Sequence, residues 1–207
     1  MKIIERAMNM LFRPKQEWPV VAAEPTTVGT LYRQWIAPLA AIQPVASVIG
    51  LTVVGISLPI VGTYRMPLGE ALRNAIFSYV ITLVAVYVLA LLIDWLAPGF
   101  GGTQNRVQAL KLTAFAFTPV WLAGVLALMP WSTVLTIGAV IYSLCLLYKG
   151  LPVLMQAPVA RRRRYFATVL ASAFCINLAV VVTLGLLAGG LFSGGGTSAA
   201  QSAPAIW

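Results

Sequence analysis

The order of apolar and polar positions predicts a chain built mainly of long helices. Five apolar stretches are each long enough to cross a bilayer, which takes about 20 helical residues. Stretches such as 75–93 lack the polar stripe that a helix of a soluble bundle presents to water. The five stretches cover residues 35–61, 71–97, 109–129, 132–154 and 165–192. The pattern therefore predicts an all-α, polytopic membrane bundle with five transmembrane helices.

The amino-acid composition excludes several classes of protein. Of the 207 residues, 60% are hydrophobic and 9% are charged, against about 25% charged in ordinary soluble domains. This excludes a cytosolic enzyme, a disordered chain and a disulfide-stapled secreted module. The chain has no His, which excludes Ser-His-Asp and Cys-His catalysis within it. Cys145 and Cys175 fall in apolar stretches, where we expect small buried hydrophobes. We expect no enzymatic activity, no metal and no cofactor.

The basic residues predict the orientation. Twelve of the fourteen Lys and Arg belong to the N-terminal segment and to the second and fourth loops, which share one side of the membrane. The other side receives only Arg65 and Arg73. The positive-inside rule then places the N-terminus in the cytoplasm and the C-terminus outside. Topology thus explains the net charge of +9, and we expect no nucleic-acid partner.

The chain divides into a cytoplasmic N-terminal segment (1–31), a five-helix transmembrane domain (32–192) and a flexible tail (193–207). The N-terminal segment begins with a short amphipathic helix over 2–12. Such a helix lies either on the inner membrane surface or on the cytoplasmic face of the bundle. Its predicted apolar face consists of Ile3, Ile4, Ala7, Met8 and Leu11, opposite Lys2, Glu5, Arg6 and Asn9.

Residues 13–25 contain three prolines, which predict an extended segment. Tryptophan favours the lipid headgroup region, so we expect Trp18 to lie there. Glu17 and Glu24 are expected to be solvated or paired with nearby Lys and Arg.

Polar residues near the apolar stretches form a candidate intramembrane site. Asp94 lies about one turn before Pro98, and a carboxylate so close to hydrocarbon needs a partner. Arg106 and Lys111 begin the third stretch on the same side. The set is interpreted either as a salt bridge joining spans two and three or as an ion, proton or headgroup site. Gln43 joins it from the first stretch, beside a kink predicted at Pro44.

A second candidate set is basic. Four consecutive arginines precede the fifth span, and Lys149 lies near the end of the fourth. Such a run sets topology and attracts anionic lipid headgroups at about 1 kcal/mol per residue. The arginines are Arg161, Arg162, Arg163 and Arg164.

Small residues in the fifth span form a helix-packing candidate. Ala167 and Ala171 are four residues apart, as are Gly185 and Gly189. Small residues at this spacing let two helices approach closely. They are compatible with packing inside the chain or with a homo-oligomer.

Several stretches resemble the bacterial branch of the Yip (Ypt/Rab-interacting protein) domain family. They are RPKQEWPVVAAEP, LYRQWIAPLAAIQPVASVIG, YVLALLIDWLAPGFGGTQNRVQALKLTAFAFTPVWLAGVLALMP and YSLCLLYKGLPVLM, and they cover most of residues 13–155. The resemblance implies five spans with a cytoplasmic N-terminus in the bacterial inner membrane. Eukaryotic members are linked to vesicle trafficking with Rab-type GTPases. This chain lacks their long soluble N-terminal domain, so we expect no such partner.

These observations favour a non-enzymatic membrane protein. We expect it to act in membrane organisation or a trafficking-like process, through the bilayer's anionic lipid headgroups or through protein association. The alternative is a small transporter or channel for an ion, proton or lipid, using Asp94 with Lys111 and Arg106.

Overall fold

The computed structural model describes residues 3–58, 62–128 and 132–193, with side chains over 3–55, 65–126 and 134–178. Nearly all of these residues are helical, which confirms the predicted helical class. The helices are α1 (Ile3–Phe12), α2 (Pro14–Ala23), α3 (Val28–Val54), α4 (Leu68–Phe100), α5 (Arg106–Ala123), α6 (Ser132–Leu154) and α7 (Arg162–Ser193). Strands β1 (Ile56–Leu58) and β2 (Gly62–Tyr64) pair antiparallel between α3 and α4. The sequence pattern did not predict this ribbon.

Four described helical stretches are long and apolar enough to cross a membrane. They are Val28–Val54, Leu68–Phe100, Arg106–Leu126 and Val134–Leu154, and each overlaps one of the first four predicted spans. The fifth predicted span falls within α7, whose side chains beyond residue 178 lie outside the described set. Contacts divide the chain into a unit that ends at Ala167 and one that begins at Thr168. The helix packing described below belongs to the first unit.

Helix α3 is not uniform along its length. Thr27 caps its start by accepting a hydrogen bond from the backbone N–H of Thr30 at 3.2 Å. The α-helix is interrupted by a turn residue at Ala41, three residues before Pro44. Pro44 has no N–H for the Ala40 carbonyl, so one helical hydrogen bond is missing here, and the kink at this proline stays a prediction. The helix ends at Gly55, whose φ of 79° suits glycine, and so the first span stops short of its predicted end at 61.

Helices α3 and α4 are joined by reciprocal tyrosine hydrogen bonds. The hydroxyl of Tyr32 in α3 donates to the carbonyl of Leu83 at 2.9 Å. The hydroxyl of Tyr79 in α4 donates to the carbonyl of Ala37 at 3.1 Å. Each hydroxyl thereby has an acceptor in an apolar setting, where an unpaired polar group is costly.

Helix α5 lies at the centre of the bundle. Its most apolar stretch is 72% buried inside the protein, against 17% to 28% for the other three candidate spans. It packs against α6 and α4, and also against the N-terminal helices α1 and α2. A side chain on α5 therefore meets protein, whereas much of α4 and α6 faces outward.

The outward faces are apolar, which corrects one expectation. Cys145 and Cys175, expected to be buried, are both exposed. Because a bilayer is as apolar as a protein core, an apolar residue in a spanning helix gains nothing extra by facing inward. Hydrophobicity alone thus cannot distinguish the two faces.

The prediction that residues 13–25 are extended is wrong. Residues Pro14–Ala23 form helix α2, with Pro14 in the first turn, where a missing N–H costs nothing. Pro19 lies inside this helix. The helix ends before Glu24, whose backbone is extended ahead of Pro25.

Helix α1 confirms the predicted helix but not the face that it buries. Ala7 and Met10 are buried against the bundle, and the helix packs on α2 and α5. Arg6, assigned to the polar face, turns inward with 13% of its side chain exposed. Ile4, assigned to the apolar face, is 77% exposed. The reason is the pair of acidic residues on and after α2, described below.

Trp18 anchors α2 to the bundle by packing against protein, and its predicted depth in the headgroup region stays a prediction. The side chain is 1% exposed and fills a notch at Gly150 of α6. A β-carbon on Gly150 would lie 2.9 Å from the indole ring and would clash with Cδ1 of Leu112. The absence of a side chain at residue 150 therefore makes room for Trp18.

We expect Gly150→Ala to destabilise the protein by about 1–3 kcal/mol, since the added methyl group overpacks the notch. The matched control is Gly138→Ala on the same helix, where a β-carbon would meet nothing within 4 Å. Thermal unfolding in detergent measures both. Trypsin should also cleave after Lys15 faster in Gly150→Ala, because α2 loses its anchor. Equal melting temperatures and cleavage rates for the two variants would contradict the notch.

Candidate functional site

Arg6 holds the two N-terminal carboxylates together. Its Nε lies 3.2 Å from Oε1 of Glu17, and its Nη2 pairs with Oε2 of Glu24. The guanidinium also lies over the ring of Phe115 in α5, 5.2 Å from its centroid. The expectation that Glu17 and Glu24 pair with nearby basic residues is confirmed. The hydrogen bond from Arg6 lowers the pKa of Glu24 below its ordinary value.

Lys111 fixes the end of α2 to the central helix. Its side chain is buried, and Nζ donates to the carbonyls of Val21 at 2.8 Å and Glu24 at 2.6 Å. One turn earlier on α5, the amide of Gln108 donates to the carbonyl of Ala22 at 2.9 Å. These carbonyls are the ones that a helix leaves unsatisfied at its C-terminus. A cation there is also favoured by the helix dipole.

Asp94 and Arg106 face each other across an open groove of about 600 Å³ at the end of α4. Oδ2 of Asp94 lies 3.9 Å from Nε of Arg106, whose side chain is 75% exposed. Oδ1 is buried and accepts no hydrogen bond from the described part of the chain. Gln104 completes the polar rim. The apolar wall consists of Val88, Leu91, Leu92 and Trp95.

The loop that precedes Arg106 is anchored at defined points. Gly101 adopts a φ of 79°. A β-carbon on Gly102 would lie 2.7 Å from the carbonyl oxygen of Met155. The same oxygen accepts the N–H of Thr103 at 2.9 Å. Opposite the loop, the Tyr165 hydroxyl donates to the carbonyl of Ile93 at 2.5 Å.

The basic cluster consists of Lys149 and the four arginines Arg161, Arg162, Arg163 and Arg164. Lys149 and three of the arginines are exposed, and Arg162 is half-buried. The guanidinium of Arg162 covers the ring of Tyr148 at 4.1 Å from its centroid, which ties the arginines to the end of α6. The sequence contains no Asp or Glu after Asp94, so the cluster has no acidic residue near it along the chain.

The structure brings together only part of the predicted intramembrane set. Asp94 faces Arg106, whereas Lys111 bonds to backbone carbonyls of the N-terminal segment. Gln43 lies apart, with its β-carbon packed against Gly124.

The remaining predicted residues are placed as follows. Ala167 and Ala171 are exposed on α7, while Gly185 and Gly189 fall in the part of α7 beyond the described side chains. In the described residues, no three His, Cys, Asp or Glu side chains come together to hold a metal ion.

Sequence reasoning missed Arg6, Gln108 and Tyr165. Gln108 acts on a partner far along the chain. Arg6 was assigned to the polar face of its helix, although a nearby basic partner was expected for Glu17 and Glu24. Tyr165 carried a weak signal, because a tyrosine at the start of an apolar helix has a hydroxyl that must find an acceptor when buried.

Comparison with known proteins gives a family match. The model of the Yip1 domain matches residues 8–182. Two curated relatives are each described as inner membrane protein YohC, one from Escherichia coli strain K12 and one from Escherichia coli O6:H1 strain CFT073. Each is 26% identical over 148 residues, covering 70% of this chain and 75% of the relative. No solved structure matches the chain.

We expect Arg6→Met to lower the free energy of unfolding by about 3 kcal/mol at neutral pH, because it leaves the buried Glu17 without its cationic partner. Arg13→Met, at an exposed arginine in the same segment, should change it by less than about 0.5 kcal/mol. Denaturant unfolding in detergent compares the two. Similar losses in both variants would remove the structural role assigned to Arg6.

The ion pair between Arg6 and Glu24 predicts that the stability of the protein depends on pH. The pKa of Glu24 is lowered in the folded state, so its contribution is present at neutral pH. It is lost as the pH falls below about 4.3, the ordinary pKa of glutamate. Stability of the wild type should therefore decrease between pH 5 and pH 3 more than that of Arg6→Met. Parallel pH profiles would contradict the pairing.

Proposed function

Because the chain belongs to the Yip1 domain family, we propose that it is a non-enzymatic, multi-pass protein of the bacterial inner membrane that acts by binding anionic lipid headgroups. The YohC relatives support the location, and the four candidate spans support the multi-pass character. The observation that carries the lipid role is the basic cluster. Such a binder would contribute to membrane organisation by gathering anionic lipid at one face.

The cluster has the features that an anionic headgroup needs. Lys149, Arg161 and Arg163 are exposed, so their charges are accessible from outside the helix bundle. Arginine presents its donors in a planar fork that matches phosphate oxygens. The position next to the ends of two apolar helices supports a location of these donors at the depth of headgroups.

Helix α1 supports the same role. Ile4, Met8 and Phe12 are exposed and lie four residues apart along one line of the helix. On its other side, Ala7 and Met10 pack on the bundle. One face of this helix binds protein, and we propose that the opposite face rests in the membrane interface.

The proposed topology has five spans, formed by α3 to α7, with the N-terminus in the cytoplasm and the C-terminus outside. The support is the distribution of Lys and Arg, with only Arg65 and Arg73 on the external side. In this arrangement the basic cluster, the Arg6 pairs and the Asp94 groove all belong to the cytoplasmic side.

Single cysteines in a Cys145→Ser/Cys175→Ser background test this topology. In intact spheroplasts, a membrane-impermeant maleimide should label Gly69→Cys and Ser198→Cys. It should label Gln16→Cys and Gln104→Cys only after permeabilisation. Labelling of Gln16→Cys without permeabilisation would reverse the orientation. Protection of Ser198→Cys would leave an even number of spans.

We expect Arg161→Gln/Arg163→Gln to weaken phosphatidylglycerol binding about 30-fold at low salt, from about 1 kcal/mol per charge. Native mass spectrometry of the purified protein, titrated with phosphatidylglycerol, measures the affinity. The matched control is Arg65→Gln/Arg73→Gln, which removes the same charge from the other side. Equal losses in both double variants would show that the binding follows net charge and would overturn the role of the cluster.

A further inference from the structure

The groove at the end of α4 combines opposite charges with an apolar wall. Asp94 and Arg106 lie at one end, and Val88, Leu91 and Trp95 extend away from them along the helix. These apolar residues occur at spacings of three and four, so they form one face. A ligand that fits this lining has a cation, an anion and a hydrocarbon part.

Asp94 is a buried acceptor that lacks a strong donor. The residue is 8% exposed, and Oδ1 has no hydrogen-bond partner among the described residues. Oδ2 has Arg106 at 3.9 Å, which is beyond the distance of a hydrogen bond. The hydroxyl of Tyr165, which is close enough to interact electrostatically with Asp94, donates to the carbonyl of Ile93. Buried carboxylates in proteins are normally paired and hydrogen-bonded, so this one is set to receive a cationic donor.

Arg106 provides the complementary site for an anion. It is the first residue of α5, and its side chain is largely exposed. Backbone N–H groups in the first turn of a helix favour a phosphate at the same place. The backbone N–H of Gln108 is already used, because it donates to the side chain of Asn105 at 3.1 Å. The guanidinium is therefore the main donor.

The length of α4 supports a position of the groove at the depth of lipid headgroups. The helical stretch Leu68–Phe100 has 33 residues, which is about 50 Å and exceeds the hydrocarbon core of about 30 Å. If the surplus is shared between the two ends, Asp94 falls at the boundary between hydrocarbon and headgroups. Trp95, which is 73% exposed, is typical of this boundary.

From these observations we propose that the groove binds a zwitterionic phospholipid whose headgroup carries a primary ammonium, of the phosphatidylethanolamine class. The ammonium donates to the carboxylate of Asp94, and the phosphate accepts from Arg106. An acyl chain lies along Val88 and Leu91. A choline headgroup has a quaternary nitrogen without N–H groups, so it cannot make the bond to Asp94. This site differs from the proposed basic cluster in residues and in ligand charge.

The test is native mass spectrometry of the full chain, titrated separately with phosphatidylethanolamine and phosphatidylcholine of identical acyl chains. The wild type should bind the ethanolamine lipid about tenfold more tightly, the value of one hydrogen bond to a charged group. Asp94→Asn should reduce that affinity to the level of the choline lipid. Arg106→Gln, at an exposed position, should weaken both lipids.

The matched control is Glu70→Gln, which makes the same chemical change at the exposed carboxylate near the other end of α4. It should leave the preference for ethanolamine intact. Equal wild-type affinities for the two lipids, or a preference that persists in Asp94→Asn, would overturn the proposal. Competition by millimolar free phosphoethanolamine as effective as that of the lipid would overturn the lipid as ligand.

Thermal unfolding of each variant separates lost binding from lost folding. If Asp94→Asn unfolds early, Arg106→Gln decides, because an unchanged affinity in that variant also overturns the site. Phosphatidylglycerol is titrated in parallel. Its binding depends on Arg161 and Arg163, so failure of the Asp94 site and failure of the proposed function give different results.

Discussion

The arrangement of the N-terminal segment depends on the buried ammonium of Lys111. A charged group removed from water is stable only when hydrogen-bond acceptors surround it. The acceptors here are the carbonyls of Val21 and Glu24 at the end of α2. Carbonyls in the last turn of a helix have no N–H donor within that helix. Each set of groups satisfies the other. The segment before the first span is therefore part of the bundle and not a separate tail.

This docking explains several features that would otherwise be unrelated. With α2 held on α5 and α6, Trp18 reaches the space left by Gly150. Glu17, which is buried by the same packing, needs a cation, and Arg6 turns inward to provide it. That rotation of α1 then leaves Ile4, Met8 and Phe12 on the outside. The exposed stripe of α1 is thus a consequence of satisfying polar groups inside.

The length of the apolar stretches predicted the helices well. Every residue of a helix that crosses a membrane or is buried must be compatible with apolar surroundings. It predicted the partners poorly. Lys111 was expected to pair with Asp94, but its partners are backbone carbonyls, which no side-chain pattern marks. The prolines of 13–25 suggested an extended chain, yet Pro14 falls where a helix tolerates it. The pairing of Glu17 and Glu24 was predictable in kind, because buried carboxylates require cations, but its common partner Arg6 was not.

In the first unit, the charged side chains described above as buried or paired lie at one end of the helices. Three interactions join the helix ends there. Lys111 joins the start of α5 to the end of α2. The Thr103–Met155 hydrogen bond joins the loop after α4 to the end of α6, and the Tyr165–Ile93 hydrogen bond joins the start of α7 to the end of α4. At the opposite end of the described helices, between α3 and α4, lies the short β-ribbon, followed by Arg65, Glu70 and Arg73. A transport path requires polar groups through the depth of the membrane, whereas a headgroup-binding protein requires them at one surface only. Among the described residues, the buried charged side chains are Glu17, Asp94 and Lys111, and all three belong to the end of the helices where Arg106 begins α5. This distribution favours association at a membrane surface over passage through it.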